Sequence, residues 1–100
     1  MVVHHIVLFK LKKDIPQDVR DNFLPMCQEG LAKIPYGTSQ VMGPPIYDAR
    51  AAGFEYGLYR ALKDVDEFQK YRACDEHMAL ITGDMFKDSV AEMVSFQIQG

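Results

Sequence analysis

The chain predicts an α+β fold of β-α-β-β-α-β order, and three observations carry that expectation. The first is the run Val2-Val3-His4-His5-Ile6-Val7-Leu8-Phe9, apolar on both faces apart from its two histidines; successive strand side chains point to opposite sides, which puts Val3, His5, Val7, Phe9 and Leu11 on one face. The second is a 3.6-residue apolar repeat through Val19, Phe23, Met26, Cys27, Leu31 and Ile34, the buried stripe of a helix. The third is a second strand–strand–helix–strand run in the remaining sequence, which completes the split βαβ pattern of ferredoxin-like domains.

Strand one is expected over Val2 to Lys12. Asp14-Ile15-Pro16 then turns the chain into the first helix, which Ile34-Pro35-Tyr36-Gly37 ends. Pro25 lies inside that helix. Its missing N–H and its clash with the preceding turn predict a kink or break near Phe23 to Pro25. Thr38 to Met42 reads as strand two, closed by Gly43-Pro44-Pro45. Phe54 to Leu62 reads as strand three, with Phe54, Tyr56, Leu58 and Arg60 sharing a face. Asp64 suits a helix cap, and Val65, Phe68 and Tyr71 follow at helical spacing. Glu76 to Phe86 is a further helical piece. Val90 to Ile98 is the last strand, with Ala91, Met93, Ser95 and Gln97 on one face.

One hundred residues bound the chain to a single domain. Helices on one side of a four-stranded sheet leave the other side bare. His4, Ile6, Leu8, Val94 and Phe96 would lie there, too apolar to face water as one patch, so a homodimer with two sheets meeting face to face is expected. A net charge of -3 argues against nucleic acid as a partner. Lys10, Lys12 and Lys13 read as a solvated strand end that discourages further pairing. No segment is long and apolar enough to cross a membrane, and no basic region precedes the apolar start as in a secretory leader. Cys27 and Cys74 are therefore read as reduced thiols of a cytoplasmic protein.

Chemistry can be argued from one constellation. His5 sits where a buried strand would carry an aliphatic residue, and Tyr71-Arg72-Ala73-Cys74-Asp75-Glu76-His77 is a second polar cluster far along the chain. Brought to one apolar cavity, His5, Tyr71 and His77 supply a base and a phenol donor. Each residue alone also fits ordinary core packing. Cys74 and His77 lack a second pair at zinc-ligand spacing, so no metal is expected. Asp84, Asp88 and Glu92 read as a solvated face. Cys27 reads as a small core residue, with no basic neighbour assured to activate it.

His4-His5-Ile6-Val7-Leu8-Phe9-Lys10-Leu11-Lys12, with Ile34-Pro35, Gly53-Phe54, Val65-Asp66-Glu67-Phe68, Tyr71 and His77, resembles the stress-responsive A/B barrel (Dabb) family. The resemblance spans nearly the whole chain. It implies a dimeric α/β barrel with a small-ligand cavity between each sheet and its own helices. Plant polyketide cyclases of the family use a strand-one histidine, a late-helix tyrosine and a histidine six positions on, which fall on His5, Tyr71 and His77. There the late histidine is the general base, while the other two support it and bind substrate. Four positions depart from that pattern. Cys27 stands for a tyrosine, Ser95 for an acidic residue, Arg60 for a valine and Asp75 for a proline.

The activity implied is cofactor-free intramolecular aldol or Claisen condensation of a polyketide or phenolic small molecule. The expected lining comprises Val7 and Phe9, Phe23 and Cys27, Tyr56, Leu58 and Arg60, Met78, and Met93. Arg60 either holds a ligand oxygen or snorkels to solvent. Two alternatives stand beside the enzyme. One is a non-catalytic stress-response dimer that binds small hydrophobic ligands. The other is a cofactor-free monooxygenase, whose pocket often carries tryptophan, absent from this chain. A hollow plugged by Phe9, Phe23, Phe54 and Met78 favours the non-catalytic reading. An open apolar cavity favours the enzyme.

Overall fold

The computed structural model describes residues 1–100. β1 (Val3–Leu11) is followed by α1 (Gln17–Ala32), β2 (Thr38–Gly43), a 3₁₀ turn (Asp48–Arg50) and β3 (Tyr56–Leu62). Then come α2 (Val65–Ala73), α3 (Asp75–Thr82), α4 (Asp84–Ser89) and β4 (Val90–Gln99). The four strands form one sheet in the order β2-β3-β1-β4, antiparallel throughout. This is the ferredoxin-like arrangement that the alternation and helix spacing predict. No helix is long and apolar enough to cross a membrane.

The helices cover one face of the sheet. β1 alternates buried and half-buried residues along its whole length, and Val3, His5, Val7, Phe9 and Leu11 point inward. Register then decides what each of them meets. His5 stands opposite Arg60 on β3 and Gln97 on β4, while Phe9 stands opposite Tyr56 and Met93. Directly paired residues share a face, so His5, Arg60 and Gln97 all project toward the helices.

α1 does not break at Pro25. It runs unbroken from Gln17 to Ala32 with the proline inside it. Pro25 lies on the exposed side, so the carbonyl that loses its partner can turn to water. Phe23, Cys27 and Leu31 are buried on both sides of the proline and hold the two halves on one line. The late helical stretch, in turn, is two helices divided at Gly83. β3 starts at Tyr56 rather than Phe54, because the Phe54 N–H turns back to the Ala51 carbonyl.

Caps fix the helix starts near the cavity. The Asp64 carboxylate accepts from the Glu67 N–H at 2.8 Å and opens α2. Cys74 ends α2 and begins α3, with Sγ accepting from the His77 N–H at 3.4 Å and donating to the Tyr71 carbonyl at 3.3 Å. Both cysteines are free thiols. At one end the interior is filled by rings. Phe9, Phe23 and Phe86 sit 5.8 to 6.1 Å apart, and Tyr56 lies 5.7 Å from Phe23. The outer face of the sheet carries Ile6 and Leu8, half-buried, beside exposed Val94, Phe96 and Ile98.

Candidate functional site

Beside the packed rings the interior is hollow. A cavity of about 130 Å³ lies between sheet and helices. His5, Val7 and Phe9 of β1, Leu58 of β3, and Met93 and Ser95 of β4 form its floor. Cys27 and Leu31 of α1, Phe68, Tyr71 and Arg72 of α2, His77, Leu80 and Ile81 of α3, and Phe86 of α4 form its walls. Short side chains leave space: Val7 and Ser95, opposite each other on the sheet, and Cys27 of α1 all line the cavity.

His5, Tyr71 and His77 converge on this cavity. The His5 and Tyr71 ring centroids are 5.4 Å apart, and Tyr71 and His77 are 4.9 Å apart. Helical geometry explains the approach. Phe68 and Tyr71 are three residues apart on α2, and their rings stack at 6.5 Å. Phe68 also packs on His5 at 5.2 Å. The chain reverses at Cys74, so α3 brings His77 back over Tyr71.

Hydrogen bonds set the state of each imidazole. Nδ1 of His77 lies 2.9 Å from the Arg72 carbonyl. A carbonyl only accepts, so Nδ1 carries the proton and Nε2 keeps a free lone pair. For His5, Nε2 of the Gln97 amide donates to Nδ1 at 3.0 Å, and the same amide donates to Ser95 Oγ at 2.9 Å. His5 therefore bears its proton on Nε2. One imidazole is set up as a base and the other as a donor.

Burial reinforces this assignment. It pulls the His5 pKa down to about 4, with the charges of His77 and Arg60 adding to the effect. Burial also lowers His77, partly offset by its bond to the Arg72 carbonyl. Burial pushes the Tyr71 phenol up to about 12, so it stays protonated and can donate. The Cys27 thiol is raised to about 12, again by burial, and is inert as a nucleophile at neutral pH. No group of three or more His, Cys, Asp or Glu side chains converges as a metal site.

The expected lining is partly corrected. Val7, Phe9, Cys27, Leu58 and Met93 face the cavity. Phe23 does not, because it is fully buried within the ring cluster. Tyr56 packs on Phe23 at the filled end and also lines a groove on the outer face of the sheet. Met78, the residue after His77, turns to solvent at 43% exposure. Arg60 points inward and is buried, so it does not snorkel, and it is not among the residues that line the cavity. Its five N–H groups go to the carbonyls of Leu31, Ile34 and Tyr36, with two at Tyr36, and to Gln40 Oε1.

Leu31, Phe68, Arg72, Leu80, Ile81, Phe86 and Ser95 complete the lining, and Gln97 sits behind His5. Helical spacing could have found some of them. Phe68 precedes Tyr71 by three residues, and Leu80 and Ile81 follow His77 by three and four. Gln97 is visible only in the β1–β4 register.

The profile of the stress responsive A/B barrel domain matches residues 3–99. The chain belongs to that family. Solved structures share the A/B barrel fold closely. A Dabb family protein with a ferredoxin-like fold from Mesorhizobium loti superposes with a TM-score of 0.83 at 17% identity, covering 99% of this chain and 96% of its own. A dimeric protein of unknown function from Bacteroides fragilis gives 0.80 at 22% identity, with coverages of 99% and 96%. The hydroxynitrile lyase of Passiflora edulis gives 0.79 at 18% identity, with coverages of 97% and 91%. No curated protein matches the sequence.

Proposed function

We propose that the cavity is a cofactor-free acid–base site in which His77 is the base and Tyr71 and His5 are hydrogen-bond donors. The observation that carries this reading is the pinned His77 ring: Nδ1 is committed to the Arg72 carbonyl, which leaves Nε2 as an unprotonated acceptor beside a protonated phenol. For a polyketide substrate, Nε2 takes a proton from the carbon between two carbonyls. The enolate carbon then forms a bond to a second carbonyl carbon. The new alkoxide takes a proton from imidazolium His77, which regenerates the base. Tyr71 and the His5 N–H stabilise the oxyanion as it develops, and confinement brings the reacting carbons together.

Cavity size selects among substrates. An engineered cavity of about 150 Å³ admits benzene, so about 130 Å³ suits a single ring without a long tail. A compact polyketone or small phenolic precursor fits this reading. The size also favours a second reaction at the same residues, cyanohydrin cleavage, as the name of the passion-fruit lyase describes for that protein. There His77 takes the hydroxyl proton, the carbon–carbon bond breaks, and a carbonyl compound and cyanide leave, the cyanide picking up the proton from His77. The non-catalytic reading loses support because neither Phe54 nor Met78 enters the cavity. The monooxygenase reading has no feature in its favour.

The assembly we infer is a homodimer joined through the apolar outer faces of the two sheets, with Phe96 and Ile98 at 56% and 50% exposure before association. A direct test of function compares wild type with His77→Ala on a reactive triketone and on mandelonitrile, following ring formation and benzaldehyde release. Turnover of either compound by wild type, reduced at least a hundredfold in the variant, supports the acid–base site. Equal rates in both proteins end it.

A further inference from the structure

Arg60 is 5% exposed, and no carboxylate pairs with it. Its guanidinium is held by neutral oxygens: the Tyr36 and Ile34 carbonyls at 2.9 Å, the Leu31 carbonyl at 3.0 Å and the Gln40 side chain. The local chain is shaped around it. Gly37 adopts φ +88°, and a Cβ there would lie 2.8 Å from Arg60 Nε. Ser39, at φ 54°, sits in the irregular β2–β3 register that precedes Val41, next to Gln40. Burying a cation among neutral dipoles is costly, and loose helix ends are more often capped by glycine or water. The cation also lies 5.1 Å from the centre of the Tyr71 ring.

We propose that Arg60 is a positioning residue of the acid–base site, seating Tyr71 and setting a positive field behind it that favours a neutral base and a negatively charged substrate oxygen. The inference rests on the reading of the cavity as that site. It accounts for a charge where a helix cap alone needs none.

The groups facing the cation agree in direction. Beyond the larger effect of burial, Arg60 makes His5 on β1 and His77 on α3 harder to protonate, and it eases ionisation of Tyr71. Burial works against the charged guanidinium and outweighs Tyr71 on α2, Cys74 at the α2–α3 junction and Glu67 on α2, which favour it, while Arg72 on α2 acts on His77 in the same sense as Arg60. Cys27 is the ionisable residue that α1 presents to the cavity, and it stays protonated. Met93 and Ser95, which β4 contributes, carry no charge.

The test compares Arg60→Lys with Arg60→Met, reading the His77 imidazole titration by NMR and the acid limb of kcat/KM. Lysine keeps the charge and loses the fork of hydrogen bonds, so its His77 midpoint should stay near wild type even if its Tm falls. Methionine should raise the midpoint by about half a pH unit or more. A purely structural role predicts the opposite pattern: loss of stability in both variants and an unmoved midpoint in both, which overturns the proposal. If Arg60→Met does not fold, Gln40→Glu decides, because it keeps the acceptor on the guanidinium while cancelling the charge. The same rise is expected there, and an unchanged midpoint overturns the proposal. The titration needs no turnover, so its failure is separable from a failure of His77→Ala to abolish activity.

Discussion

His4 and His5 are neighbours in sequence and opposites in circumstance. On the outer face, His4 spends both nitrogens, one on the Tyr59 hydroxyl at 2.8 Å and one on the Gly100 carbonyl at 3.0 Å. On the inner face, His5 spends one nitrogen on Gln97 and leaves the other toward a hollow that also holds Tyr71 and His77. A satisfied histidine is scaffold. One with a spare nitrogen in an apolar cavity is equipment for chemistry. The same strand therefore presents the surface proposed for assembly on one side and the proposed site on the other, and the pleat alone separates them.

The largest effect expected from this contrast is catalytic. His77→Ala should lower kcat/KM on a substrate turned over by wild type by about 10² to 10⁴, the range for a lost general base. His4→Ala should leave it within a few-fold. Similar losses in both variants would erase the distinction between the faces.

Next comes association. Phe96→Asp puts a charge in the middle of the outer apolar patch and should convert the dimer to monomer at micromolar concentration by analytical ultracentrifugation, a weakening of about 3 kcal/mol or more. A wild type that sediments as a monomer would remove the assembly reading.

Filling the hollow should matter less. Cys27→Leu extends an apolar group into the space, so KM should rise about tenfold while Tm moves by only a few degrees, since overpacking costs about 1–3 kcal/mol where room is short and less where it is not. Unchanged kinetics would place the reaction elsewhere.

The smallest effect is on acid stability. Unfolded His5 takes up its proton near pH 6.5 and the folded one only near 4. Between these values the unfolded chain binds more protons, so stability falls as pH drops through that window. The loss should be about 1–2 kcal/mol in urea titrations, allowing for solvent screening. His77 shifts in the same direction and adds to it. His5→Gln should flatten the slope.

Much of the site was legible from spacing. Alternation placed His5 inward and His4 outward, and the helical repeat put Phe68 and Tyr71 on one stripe. The resemblance in the Tyr71 to His77 interval pointed to a shared cavity. Other features were not legible because they depend on contacts between distant segments. Pro25 looked like a break, yet packing of Phe23 and Cys27 on either side outweighs one lost hydrogen bond. Arg60 occupied an inward register position, but its targets are the carbonyls at and after the C-terminus of α1 and the Gln40 side chain in the irregular part of β2. Phe23 had the same apolar character as Phe9, and only three-dimensional packing sent it to the filled end of the interior.

By itself the sequence determined the element order, the inward and outward faces, and the three side chains with acid–base capacity, because side-chain periodicity is a local property of strand and helix. Tertiary structure alone decided which nitrogen of each imidazole is free, where the interior stays hollow, and that the Arg60 guanidinium lies over the Tyr71 ring. Those outcomes depend on register and on the volumes of residues far apart in the chain, quantities that no local pattern encodes.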